Sequence, residues 1–374
     1  MVSKVYFTDM RTSSNKDSVP KKLRRLYNQA GFSSLFNTDE LVAVKLHLGE
    51  RGNLAFIHPA LVRQVVEKIK ENGGKPFLTD TNTLYTGSRA NSVDHLETAV
   101  ENGFSYATVN APIIIADGLH GKNFVEVQIQ QKHFDSVKIG SDIFNSPSML
   151  VLSHFKGHIA TGFGGALKNL GMGCSNRGGK QMMHSLLKPK LEQENCVSCG
   201  VCKKWCPAAD AISFDENKKA VIDYDACVGC GECTASCLYG AIKIQWKSET
   251  SQLQERMVEF ALGAVSSKSK GKIGFINFVM NVAPDCDCHS WNDAPIVPDV
   301  GIIASMDPVA LDQASLDLVN RQTGLVGTKL NSNFSAGQDK FSGIRRDIDH
   351  TVQLSYAEEI GLGTRMYELI EINL

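Results

Sequence analysis

An excess of charge of either sign is missing from this chain: 39 lysines and arginines face 40 aspartates and glutamates in 374 residues. So balanced a surface offers no global field for nucleic acid or for an acidic membrane, and neither is expected as a partner. Long hydrophobic runs are missing too. Stretches such as Pro112–Ala116 and Phe275–Ala283 fall far short of the ~20 residues that span a bilayer. Met1–Asp9 lacks the basic and then apolar pattern of a secretion signal. The expectation is a cytoplasmic protein, whose thiols stay reduced, so disulfides are not expected to hold it together. The hydrophobic fraction of 43% is ordinary for a globular chain, and the length predicts two or three domains.

What the chain does have is cysteine, eleven residues of it, and eight of these follow a rule. Cys196, Cys199, Cys202 and Cys206, followed by Pro207, read C-x2-C-x2-C-x3-C-P. Cys227, Cys230, Cys233 and Cys237 repeat the spacing, each 31 residues after its counterpart, and Ala211-Ile212 and Ala241-Ile242 echo one another downstream. Three thiolates on one tight loop reach three corners of an iron-sulfur cube, while the fourth cysteine ligates the other cube. Cys196, Cys199, Cys202 and Cys237 are therefore expected to hold one [4Fe-4S] cluster, and Cys227, Cys230, Cys233 and Cys206 a second. Gly200 and Gly231 let the backbone turn closely and present amides to the sulfurs. Zinc sites typically use two separated C-x2-C pairs, which does not explain a doubled set of four.

Around this motif the sequence resembles bacterial two-cluster ferredoxins over about residues 190–247. It departs from them at Leu238, where the family usually has proline. The resemblance implies low cluster potentials and a role in one-electron transfer.

The motif interrupts something larger. Val2–Thr8, Leu41–Leu48, Pro76–Asp80, Pro112–Ala116, Met149–His154, Lys272–Val282 and Val300–Ala304 read as strands, Pro112–Ala116 and Met149–His154 of the buried type. Val19–Ala30, Pro59–Asn72, Val93–Asn102, Ser251–Ala264 and Pro308–Asn320 read as helices. Gly31 and Gly73-Gly74 act as stops, Pro59 as an opener and Asp307 as a cap. Strands alternating with helices predict an α/β fold, a mainly parallel sheet with helices on both faces. Residues 1–187 plus 248–374 are expected to form it, interrupted by an inserted α+β ferredoxin-like domain at 188–247.

Open parallel sheets bind ligands at the carboxyl ends of their strands. Here those ends run into Lys45, His47, Glu50, Arg51 and Asn53; into Asp80, Thr81 and Asn82; into His154, Lys156 and His158; and into Asp285, Cys286, Asp287, Cys288 and His289. Four such ends could converge on one pocket, or each could be an ordinary polar loop. His47, His154 and His158 are the candidates for proton handling. Lys45, Asn53, Asp80, Thr81, Lys156, Lys168 and Asn169 are the candidate contacts to a small anionic ligand.

Two glycine-rich stretches fail as nucleotide loops. In Thr161–Asn169, Leu167 stands where a third glycine belongs; Gly173–Lys180 is one residue too long for a phosphate loop and is followed by Gln181. A helix start there could still hold a carboxylate or phosphate. The three remaining cysteines, Cys174, Cys286 and Cys288, with His184 or His289, are soft ligands suited to a third metal or cluster. A redox dithiol and plain buried thiols are the alternatives.

Lys45–Asn53, His154–Cys174, Asp285–His289 and Ala304–Asp312 (A-S-M-D-P-V-A-L-D) together resemble the family known as domain of unknown function 362, fused to a ferredoxin, over nearly the whole chain. That family looks distantly like the lactate-racemase superfamily, whose catalytic domains bind a nickel-pincer nucleotide; none of its catalytic histidines is carried over to this sequence. Three functions remain open. One is an oxygen-sensitive iron-sulfur oxidoreductase component that passes electrons between its clusters and a site or partner protein. The others are a pure electron carrier and a metallocentre assembly protein.

Overall fold

The structure is a computed structural model that describes residues 2–85, 87–184, 189–206, 208, 210–227, 232–243 and 250–372. One eight-stranded sheet organises most of the chain. Its strands are β1 (Ser3–Asp9), β2 (Leu41–Lys45), β3 (Lys75–Asp80), β4 (Ile113–Ile115), β5 (Ser148–His154), β6 (Ile273–Val279), β7 (Gly301–Ser305) and β8 (Tyr367–Glu371). They lie in the order β8-β1-β7-β6-β5-β2-β3-β4. Only β7 runs against both neighbours; every other pairing is parallel. The expected α/β fold with a mainly parallel sheet is what forms.

Alternation along the strands supplies two cores. Val42, Val44, Leu150, Leu152, Ile276 and Phe278 face one side, and Ala43, Met149, Val151, Phe275 and Val279 the other. The first side is covered by α1 (Val19–Gln29) and α2 (Pro59–Glu71), and α3 (Ser92–Glu101) lies beyond the edge of the sheet beside β4. The second is covered by α4 (Ala166–Cys174), α8 (Thr250–Ser266), α9 (Pro308–Asn320) and α10 (Thr351–Glu359), with α5 (Arg177–His184) beside them.

Local signals explain the boundaries. Leu23, Leu26 and Tyr27 form the buried stripe of α1, which ends where Gly31 turns left-handed at φ 74°. Asp307 caps α9, accepting from the amides of Val309 at 2.9 Å and Ala310 at 3.1 Å. Two strands stop earlier than expected. β2 ends at Lys45 and β6 at Val279, because the residues beyond turn out of the ladder to build loops. β4 is an edge strand rather than a fully buried one, with Ile114 39% exposed.

The cysteine-rich segment packs its own small core around Cys196, Cys202, Ile212, Ala220, Ile222, Cys233, Ala241 and Ile242. It contains the antiparallel pairs Ile212–Phe214 with Ala220–Ile222 and Lys190–Leu191 with Ile242–Lys243, and the short helices α6 (Val201–Trp205) and α7 (Glu232–Ser236). The expected junctions at 187/188 and 247/248 fall outside the described residues or beside them. Among the described residues no helix is long and apolar enough to cross a membrane.

Candidate functional sites: a four-cysteine cavity and a buried charged cluster

In the cysteine-rich segment, Cys196, Cys199 and Cys202 line one small cavity together with Cys237, which comes from the other repeat. These are the four cysteines that the spacing assigns to one cluster. Gly200 turns left-handed at φ 74° directly after Cys199, which a Cβ would strain. The amide of Ala220 donates to Cys196 Sγ at 3.4 Å. Val197, Phe214 and Ile242 supply an apolar wall. Burial pushes the Cys202 thiol up, and the Cys199, Cys237 and Cys196 sulfurs add to the effect. Four thiols lining one cavity with an apolar wall suit a cationic iron-sulfur core, so the donor set fits a [4Fe-4S] cube. Of the second set, Cys206, Cys227 and Cys233 pack together in the same small core, while Cys230 lies outside the described residues.

The segment is not isolated from the sheet unit. Helix α7 packs on α5, and Lys122 Nζ sits 3.6 Å above the Trp205 ring. Arg177, the first residue of α5, interacts electrostatically with both Cys237 and Asp117.

At the carboxyl ends of β2, β3, β5 and β6, polar side chains do converge. Lys45, at the end of β2, reaches Asp80 at 2.9 Å and Asn169 Oδ1 at 2.7 Å. It can do so because Gly173 has no side chain; a Cβ there would lie 2.4 Å from Lys45 Nζ. Burial pushes the Asp80 carboxyl up, but Lys45, His95, His47 and Arg89 together hold it well below the usual carboxylate range. Arg89, 2% exposed, spans Asp80 at 3.6 Å and Glu50 at 3.1 Å, and donates to Tyr85 at 2.6 Å. Burial drives His95, 3.8 Å from Asp80, down to about 3.

On the other flank, Asp287 accepts from His154 Nδ1 at 2.8 Å and pairs with Lys156 at 3.1 Å. His154 Nε2 faces the carbonyls of Met280 and Asn281, both at 3.0 Å, so acceptors occupy both sides of that ring. His158 Nδ1 is taken by Thr161, whose amide lies at 3.1 Å and hydroxyl at 2.9 Å. His47 differs. Its Nδ1 accepts from the Gly49 amide at 2.9 Å, which leaves the proton on Nε2, and that buried nitrogen has no partner. Burial first, then Arg89, drives His47 well below its ordinary value, against Asp287 and Asp80. A third group lies nearby. Burial raises Asp117 to about 7 and lowers Lys180 to about 8, and the charge of each opposes the shift of the other.

Several expected ligand contacts have structural duties instead. Asn53 donates to the carbonyls of His289 and Trp291 at 3.1 and 2.8 Å, clasping two loops together. Asn169 ties Lys45 to the Leu152 carbonyl and to Ser153. Thr81 accepts from Lys180 at 2.6 Å and donates to the Gly173 carbonyl at 2.9 Å. The amides that start α4 are not open to an outside anion, because Asp312 already accepts from Ala166 at 2.7 Å and Leu167 at 2.9 Å. An internal carboxylate has taken the place expected for a ligand.

The expected third metal set is spread over the molecule. Cys286 and Cys288 hydrogen-bond each other, and Lys168 Nζ lies 3.2 Å from Cys286 Sγ. Cys174 is buried among Lys45, Lys268, Asp80 and Lys180, and burial pushes its thiol to about 11. His184 neighbours Lys168 and Lys180, and burial lowers it to about 4. His289 stacks on Trp291 at 5.2 Å. Among the described residues no three His, Cys, Asp or Glu side chains gather closely enough to hold a single metal ion. Arg89, Tyr85, His95, Asp117, Asp287 and Lys180 join the cluster without having been singled out as site residues. Lys180 and Asp287 stood inside runs already noted; Arg89 and His95 follow β3 with no motif to mark them. A groove of about 660 Å³ lies at the opposite ends of β2 and β3, around Leu41, Lys75, Pro76 and Phe77, and shares none of these residues.

A family model described as domain of unknown function (DUF362) matches residues 42–317. The pyruvate synthase subunit PorD of Methanocaldococcus jannaschii is 46% identical over 55 residues, 15% of this chain and 63% of that subunit. The chain thus spans under two thirds of that relative. PorD of Methanothermobacter marburgensis is 35% identical over 71 residues, 19% of this chain and 82% of the subunit. An iron-sulfur subunit of the CoB–CoM heterodisulfide reductase of M. jannaschii is 32% identical over 93 residues, 20% of this chain but 14% of that protein. Among solved structures, the lactate racemase apoprotein of Thermoanaerobacterium thermosaccharolyticum aligns with a TM-score of 0.38 at 10% identity, over 74% of this chain and 51% of that one. Likeness at that level says nothing about chemistry.

Proposed function

The chain belongs to the DUF362 family, and we propose that it is an iron-sulfur redox protein and a component of an oxidoreductase. In this reading single electrons pass through two [4Fe-4S] clusters to or from a site on the larger α/β unit. The observation that carries it is the single cavity lined by Cys196, Cys199, Cys202 and the distant Cys237. Cys227, Cys230, Cys233 and Cys206 would hold the second cluster. When bound, the clusters supply one-electron steps. The chain's own residues do the rest. Val197, Phe214 and Ile242 give the first cavity an apolar wall, and the Ala220 amide donates to a ligand sulfur. Residues 188–247 act as the electron-transfer domain, and 1–187 plus 248–374 as the domain that receives or supplies electrons. Reducing cytoplasm and an oxygen-poor cell suit such clusters, and the PorD relatives, being subunits, favour a redox partner protein.

A site on the larger unit is favoured over a pure carrier by the charged cluster at the strand ends. Burying Asp80, Arg89, Glu50, Lys45, Lys156 and Asp287 together costs desolvation that a scaffold need not incur. His47, with its unpartnered nitrogen, and the Asp117–Lys180 pair are the groups placed to move protons there.

Purification without oxygen, followed by a count of iron and acid-labile sulfide, tests the reading. About eight of each per chain is expected, with a reduced-state electron paramagnetic resonance signal. Zinc in place of iron, or fewer than about four irons in well-folded protein, would sink it.

A further inference from the structure

Cys286 and Cys288 lie on the loop after β6 with their side chains turned toward each other, while Asp287 between them turns to His154 and Lys156. Cys286 is 1% exposed and Cys288 is partly open to solvent. Lys168, on the first turn of α4, sets its ammonium 3.2 Å from Cys286 Sγ. The loop backbone is held from outside: Tyr85 donates to the Cys288 carbonyl at 2.9 Å, and Asn53 to those of His289 and Trp291. A crosslink closing so short a loop would constrain the unfolded chain little, so stability does not explain the pair. Helix α5 connects it to the cysteine module. Arg177 at one end interacts electrostatically with Cys237, and His184 at the other end with Lys168. Eight helical residues span about 12 Å.

We infer that Cys286 and Cys288 form a redox-active dithiol whose substrate is an external disulfide. The inference rests on the electron-transfer reading above for its supply of electrons. The hydrogen bond from Cys288, opposed by burial and helped by Lys168 and Lys156, holds the Cys286 thiol well below its ordinary range. In the working cycle the Cys288 proton passes to Cys286 along their hydrogen bond. The Cys288 thiolate attacks one sulfur of the substrate disulfide, its S–S bond breaks, and the first thiol leaves carrying the proton from Cys286. The Cys286 thiolate, beside Lys168, attacks Cys288 Sγ. The mixed disulfide breaks, and the second thiolate leaves and takes a proton from solvent. The substrate has gained two electrons and the pair has lost them. Two reduced clusters, giving one electron each, cleave the Cys286–Cys288 bond; Cys288 takes up a proton and Cys286 returns to the thiolate.

The test uses the full chain, purified without oxygen, as wild type, C286S, C288S and the double serine variant. Each is oxidised with diamide, freed of it and titrated with dithionite. Iron and zinc are counted, and the peptide that contains residues 286–288 is alkylated and weighed. Wild type should take up two more electrons per chain than the double variant at equal iron content. Its oxidised peptide should be lighter by two hydrogens and resist alkylation until reduced. Reduced wild type, but not C288S, should convert cystine to cysteine. Equal electron uptake, or free alkylation of the oxidised peptide, would overturn the inference. So would loss of iron or zinc in the serine variants, which would make these residues metal ligands. If wild type lacks clusters, the electron-transfer reading fails on the iron count, while the peptide masses still decide the dithiol.

Discussion

The cysteine module and the charged cluster solve the same problem, bringing reactive groups together, from opposite starting points. In the module all eight thiols lie between Cys196 and Cys237, and one spacing rule is used twice. In the sheet unit, Lys45, Asp80, Arg89, Asp117, His154, Lys180 and Asp287 come from strand ends, loops and a helix spread across most of the chain. The module needs only a few tight turns to converge; the cluster needs four strands in register. Soft ligands at short spacing declare their chemistry before any fold exists. Buried charged groups acquire theirs from the exclusion of water around them, as the opposite shifts that burial gives Asp117 and Lys180 illustrate.

The comparison can be broken first at Cys237. If crossed ligation holds, Cys237→Ser removes the same cluster as Cys196→Ser, although the two residues belong to different repeats. Each variant should lose roughly half of the iron, and their reduced resonance spectra should match. Spectra in which C237S instead matches C227S would assign each repeat its own cluster and remove the crossed arrangement.

The next largest effect is expected inside the charged cluster. Lys45→Met leaves Asp80 buried with only Arg89 and His95 beside it, and Asn169 without its donor. A loss of about 3–5 kcal/mol in stability is expected from chemical denaturation. The smallest effect sharpens the contrast. Arg51 stands on the same loop but pairs with Glu101 in the open, half exposed. Arg51→Ala should cost far less than Lys45→Met, because solvent screens an exposed ion pair. Similar losses for the two variants would show that the buried cluster is not energetically distinct from the surface.

Most of the architecture was readable in advance, for local reasons. The apolar stripe of α1, the Gly31 stop, the Asp307 cap and the two-residue alternation of β2, β5 and β6 are properties of short windows. The misreadings share a different cause. Leu41–Leu48 looks like one strand, yet pairing ends at Lys45, because the loop to Asn53 must reach His289 and Trp291. The helix start at Ala166 looks open to an anion, yet Asp312, more than a hundred residues on, occupies it. The histidines looked equivalent as proton carriers. Only contacts with Asp287, with the Met280 carbonyl and with Thr161 separate His154 and His158 from His47.

By itself, then, the sequence determined the ferredoxin-type cysteine pattern, the α/β class and the strand ends where polar groups would collect. Those properties depend on neighbours a few residues apart, and a chain cannot conceal them by folding. Tertiary structure alone decided that β7 runs against its neighbours, that Arg89 and His95 belong with Asp80, and that Cys286 and Cys288 share Lys168 while Cys174 lies apart among other partners. Strand direction, burial and the sign of a neighbouring charge are set by residues far away in the chain. They exist only once the sheet has closed and water has been excluded from between its loops.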